Sequence, residues 1–68
     1  MVHEMIKIEG MSCKHCVLAV TEAVKELKGI QKIEVDLASG KAEVDFEEQQ
    51  TTLQAIKNKI IEAGYRPV

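Results

Sequence analysis

Ile30-Gln31-Lys32-Ile33-Glu34-Val35-Asp36-Leu37-Ala38-Ser39-Gly40-Lys41-Ala42-Glu43-Val44-Asp45-Phe46 is the stretch on which the fold turns. From Ile30 to Leu37 the chain alternates. Ile33, Val35 and Leu37 point one way, and Lys32, Glu34 and Asp36 point the other. A period of two marks a strand with one face buried and one face wet. Ser39-Gly40 reads as a tight turn, after which Ala42, Val44 and Phe46 alternate with Lys41, Glu43 and Asp45. The two halves predict an antiparallel hairpin.

Outward from the hairpin, the pattern repeats on both sides. Val2 to Ile8 reads as a first strand, with Ile6 and Ile8 on one face and Lys7 and Glu9 on the other; Gly10 ends it. Met11 to His15 forms the next turn. Val17, Val20, Val24 and Leu27 then recur at helical spacing, with Cys16 one turn before Val20, and Gly29 stops the helix. After a polar loop, Glu47 to Gln50, Thr51 and Gln54 fit a capping box at the start of a second helix. Leu53, Ile56, Ile60 and Ala63 form its buried stripe and Gly64 ends it. Tyr65 to Val68 is a short last strand, in which Pro67 is tolerable only near an edge or an end. The order strand, helix, strand, strand, helix, strand predicts an α+β fold. It is the ferredoxin-like βαββαβ sandwich, a four-stranded antiparallel sheet with two helices on one face.

A chain of 68 residues makes a single domain, residues 1–68, with a thin stability margin. Its 46% hydrophobic and 29% charged residues are ordinary for a globular domain and exclude a disordered tail. Phe46 and Tyr65 are the only aromatics, so Val, Ile, Leu, Met and Ala build the core. The net charge of −2, with basic and acidic residues interspersed, argues against nucleic acid. No apolar stretch is long enough to cross a bilayer, and the start of the chain lacks the pattern of a signal peptide. These features predict a cytoplasmic protein with no membrane insertion. No serine–histidine–aspartate set, phosphate loop or framed pair of carboxylates is present, so the chain does not read as an enzyme.

The chemistry is concentrated in Gly10-Met11-Ser12-Cys13-Lys14-His15-Cys16. A disulfide between Cys13 and Cys16 would close a tiny loop and add little to folding, so the pair reads as metal-binding or redox-active. Thiolates are soft donors that favour Cu(I), Zn(II) and Hg(II). Two sulfurs suit an ion content with near-linear coordination, as Cu(I) and Hg(II) are, whereas zinc prefers four ligands. Cys13 falls in the loop and Cys16 in the first helical turn, where free backbone N–H groups and the positive end of the helix dipole favour thiolate over thiol. Lys14 adds positive charge nearby. A site at the edge of a small sandwich is open to attack by a thiolate from another protein.

This stretch closely resembles the signature of the heavy-metal-associated domain, and within it the bacterial copper chaperones that deliver Cu(I) to copper-transporting P-type ATPases. The resemblance runs along the whole chain, with the motif after strand one and Ala63-Gly64-Tyr65 before the last strand. It implies Cys13 and Cys16 as the Cu(I) ligands and Met11 as a core residue beneath the loop. It places Tyr65 close to the metal loop, and His15 where it would tune the cysteines or join a metal-bridged dimer. The implied partner is the metal-binding domain of such an ATPase, and the implied state is a monomer or a metal-bridged dimer.

Three other readings compete. A thiol–disulfide oxidoreductase also uses C-x-x-C at a helix start. Thioredoxin-like enzymes, however, depend on a cis-proline facing the cysteines, and Pro67 is the only proline. A Hg(II) carrier would use similar coordination. A Zn(II) carrier would bring a carboxylate beside the pair, where this chain has Gly10 and Ser12. A metal-binding module of an ATPase would carry the same motif; the start at Met1 and the end just after strand four favour a free-standing protein.

Overall fold

The computed structural model describes residues 2–68. The elements are β1 (Val2–Glu9), α1 (Lys14–Lys25), β2 (Ile30–Asp36), β3 (Lys41–Phe46), α2 (Leu53–Glu62) and β4 (Arg66–Pro67). All strand pairs are antiparallel and the sheet order is β2-β3-β1-β4, which is the predicted ferredoxin-like topology. β1 therefore lies inside the sheet, and its end feeds the cysteine loop.

One set of alternate strand residues meets both helical stripes. Ile6 and Ile8 of β1, Ala42, Val44 and Phe46 of β3, Val20 and Val24 of α1, and Ile56 and Ile60 of α2 form a single buried cluster. Burying one such aliphatic side chain stabilises the fold by about 1.5–3 kcal/mol. The opposite residues of the strands, among them Lys32, Glu34 and Glu43, stay exposed.

The structure adjusts the predicted details in five places. Leu37 leaves β2, because the Asp36 carboxylate accepts the Ala38 N–H and the Ser39 hydroxyl, each at 3.0 Å, and turns the chain one residue early. The alternation also slips at Gln31, where the register against β3 shifts. In α1, Val17 is only half-buried; the buried stripe is Cys16, Val20 and Val24, at a strict four-residue spacing. The cap of α2 is Thr52 rather than Thr51: its hydroxyl accepts the Ala55 N–H at 3.1 Å. Thr51 belongs to the preceding turn, with its N–H on the Glu47 carbonyl at 3.1 Å, and is buried. Gln54 then bonds Asn58 at 3.1 Å instead of closing a box. β4 is shorter than expected, and Pro67 sits on this edge strand opposite Ile8.

Gly29 joins α1 to β2 at φ 92°, and a Cβ there would lie 2.7 Å from Gln50 Cβ. Gly29→Ala is expected to cost about 1–3 kcal/mol, read as a lower urea midpoint at unchanged slope.

On the exposed sheet face His3 Nδ1 bonds Asp45, and Nε2 lies 3.4 Å from Glu43 Oε1. The imidazole pKa is raised above 6.5, first by the bond to Asp45, against partial desolvation, and then by the charges of Asp45 and Glu43. A raised folded value means stability that is full below the unfolded pKa of 6.5 and lost as pH climbs through the folded one. The urea midpoint of the native chain should therefore fall relative to His3→Gln as pH rises from slightly acid to slightly alkaline. A constant difference would show that the contact contributes nothing.

Candidate metal centre

Ile6 and Ile8 anchor β1 in the core, and Gly10, at φ 97°, turns the chain out of the sheet. Met11 is half-buried and packs against the core cluster, so its side chain ties the loop down from below. Cys13 is the N-cap of α1, in extended backbone at φ −156° and ψ 171°. Its carbonyl accepts the N–H of Cys16 at 3.0 Å and of Val17 at 3.4 Å, which closes the first turn. Its side chain makes no capping bond, and no acidic residue lies in that turn. Sulfur thus occupies the place where Ser, Thr or Asp would normally supply an oxygen.

The helical register that buries Val20 and Val24 carries Cys16 inward on the same stripe. Cys16 is buried, Cys13 is exposed, and their sulfurs are 3.6 Å apart. Both are free thiols. The Cys16 pKa is lowered from 9.0 to about 6. The largest cause is the backbone N–H of Ser12; the Tyr65 hydroxyl comes next, and the Cys13 N–H and thiol add smaller effects against the cost of burial. Tyr65 shows the other side of the contact. Its pKa is raised, first by the bond to Cys16, then by burial and by the negative charge of the two sulfurs. A hydroxyl that donates to a thiolate is held in its protonated form.

Of the residues singled out from the sequence, Cys13, Cys16 and Tyr65 come together, with Met11 beneath them. Tyr65 reaches the site because Gly64, at φ 99°, ends α2 and turns the chain back toward the loop. Its ring also runs alongside Gly10, where a Cβ would sit 3.7 Å from Cδ1. His15 and Lys14 lie exposed in the first turn of α1. The Ser12 amide was not visible in the sequence, since any residue but proline supplies one. Among the described residues no group of three or more His, Cys, Asp and Glu side chains gathers to hold a metal. What the arrangement offers is a pair of soft donors, one of them readily ionised.

The heavy-metal-associated domain model matches residues 5–66. The chain belongs to the heavy-metal-associated domain family. Over 65 residues it is 42% identical to the copper chaperone CopZ of Staphylococcus saprophyticus, covering 96% of each protein. It superposes on a CopZ metallochaperone structure with TM-score 0.95 at 31% identity, over 98% of this chain and all (100%) of the other. It also matches a copper-binding domain from HMA7, a P-type ATPase, with TM-score 0.97 at 28% identity, over 100% and 92% of the two chains. The two solved structures share the fold of this chain over nearly its whole length.

Tyr65→Phe removes one of the two largest groups that hold the Cys16 thiol near pH 6, so its titration should move up toward the ordinary thiol range. Thiolate absorbance against pH reads this directly. An unmoved titration would mean that the backbone amides act alone.

Proposed function

We propose that this chain is a copper chaperone. It binds Cu(I) through the thiolates of Cys13 and Cys16 and passes it by ligand exchange to the metal-binding domain of a copper-transporting P-type ATPase. The observation that carries the reading is the sulfur pair itself: two soft donors 3.6 Å apart, with no third side-chain ligand among the described residues. Such a set suits an ion of low coordination number and leaves zinc two ligands short. The likeness to CopZ and to the copper-binding domain of an ATPase supports the cargo and the partner.

The mechanism follows from the geometry. Binding replaces a thiol proton with the ion, and at Cys16 that proton is already lost above about pH 6. A partner thiolate approaches from the exposed side of the loop and makes a three-coordinate intermediate. Release of this chain's sulfurs in turn completes the transfer. No bond of a substrate is made or broken in this exchange, so the protein is a carrier and not an enzyme. Residues 1–68 act as one domain, in the cytoplasm, as a monomer or as a dimer bridged by metal through the exposed loop. No helix among the described residues is long and apolar enough to cross a membrane.

An anaerobic Cu(I) titration of the reduced protein against a competing chelator, run beside Zn(II), tests the reading. Binding near one ion per chain is expected, preferred over zinc and abolished when Cys13 and Cys16 are both changed to Ser. Of the single variants, Cys16→Ser should lose more affinity than Cys13→Ser, because it removes the sulfur that the amides and Tyr65 hold ionised. Weak or cysteine-independent binding would sink the proposal.

A further inference from the structure

β2 forms one edge of the sheet, since β3 is its only neighbour in the order β2-β3-β1-β4. The Ile8 N–H donates to the Gly40 carbonyl at 2.7 Å, so Ile8 and, by alternation, Ile6 turn their backbone groups toward β3. Ile6 lies opposite Ala42, so Ala42 and Val44 of β3 face β1, while Lys41, Glu43 and Asp45 face β2. Their partners Asp36, Glu34 and Lys32 face β3 in return. The N–H and C=O groups of Ile33 and Val35 therefore point off the sheet and meet no strand among the described residues. Both side chains are half-buried against the core cluster, which holds this open edge in place.

Lys32 and Glu34 stand on the outer face of this strand, each side chain 61% exposed, with Lys32 Nζ 3.2 Å from Glu34 Oε1. On the β3 side Glu34 lies directly opposite Glu43, and like charges in that relation cost stability. Only three antiparallel registers bring the outward groups of two such edges together. With Ile33 against Ile33, Lys32 of each copy lies opposite Glu34 of the other. The four charges then alternate in sign, and each Glu34 gains a cation on the side away from Glu43. The other two registers set Glu34 against Glu34, or Glu34 against Asp36.

We propose that the edge of β2 is a self-association site, where a second copy of this chain pairs antiparallel about Ile33 and joins the two four-stranded sheets into one. Backbone bonds between the two Ile33 residues supply the attachment, and the Lys32–Glu34 pairs select the register. The register shift near Gln31 ends the ladder where Val35 of the second copy would pair, so the contact is short and the association weak. A two-fold axis uses the same edge of both copies, so the assembly closes at two chains. β1, whose end carries the cysteine loop, lies two strands in from β2, about 10 Å away. The paired edge includes neither Cys13 nor Cys16, and the inference stands independently of metal carriage.

The test uses the reduced native chain with a metal chelator present. Sedimentation equilibrium and amide hydrogen exchange are followed from micromolar to millimolar protein. The average mass should rise toward that of two chains, and exchange of the Ile33 amide should slow in step. Glu34→Lys and Lys32→Glu each set like charges across the pair, and each should weaken association on the order of tenfold. An equimolar mixture of these two variants sets lysine against glutamate at both positions, and should associate at least as tightly as the native chain. The variant with Cys13 and Cys16 both changed to Ser should associate as the native chain does. A mass of one chain up to millimolar protein, protection centred on other amides, or a mixture no tighter than its components would overturn the proposal. So would loss of association in the cysteine variant, which would assign the contact to the sulfurs.

Discussion

The packing of α1 against the sheet is the constraint from which the thiol site follows. Val20 and Val24 are wholly buried against Ile6, Ile8 and Val44, and their four-residue spacing fixes the rotation of the helix. Cys16 lies one turn earlier on that stripe. Hydrophobic burial of that stripe therefore sets where its sulfur lies. β1 supplies the other half of the placement. It lies between β3 and β4, cannot slide without turning Ile6 and Ile8 out of the core, and delivers Gly10 at a fixed point. Only four residues, Met11 to Lys14, separate Gly10 from the second helical residue, His15. Anchored at both ends and tied down by Met11, so short a loop has little freedom.

Given that placement, local electrostatics make the site. A helix that begins with a cysteine cap leaves backbone N–H groups without an oxygen acceptor from the side chain. The Ser12 and Cys13 amides and the Tyr65 hydroxyl all favour negative charge on Cys16, and together they outweigh the cost of burying it. The sequence-based expectation gave this task to the free N–H groups of the helix start, the helix dipole and Lys14. The structure gives the largest share to a single amide just before the helix, a shorter-range and more directional contact.

How much was legible depends on which residues carry periodic information. Ala42, Val44 and Phe46 against Lys41, Glu43 and Asp45 state the hairpin outright, and the core strands follow the alternation. The elements and their order were all readable, and so was the meeting of Cys13, Cys16 and Tyr65 through a family resemblance. The misplaced details share a cause: competition between neighbouring side chains for the same backbone groups. Thr51 and Thr52 are chemically equivalent caps, and only the bond from the Thr51 N–H to Glu47 decides between them. Leu37 continues the apolar alternation, but the Asp36 carboxylate takes the turn first. Val17 and Cys16 both fit a helical stripe to within one residue, and only contact with the sheet chooses.

The two sulfurs are unequal, and the inequality has a direction. Cys16 is buried, anchored by its helix, and surrounded by donors that keep it ionised; Cys13 is exposed and makes no capping bond. In the proposed exchange an incoming thiolate can reach the ion only from the side of Cys13. The sulfur best able to move aside is then the one nearest the newcomer, while Cys16 holds the ion until the new bond has formed. A symmetric pair, both buried or both loose, would lack this order. Two buried sulfurs would resist release, and two loose ones would hold the ion weakly. In that exchange the fold would separate retention from release, since it places one sulfur on the core stripe of α1 and the other at the cap just outside it, only three positions apart in the sequence.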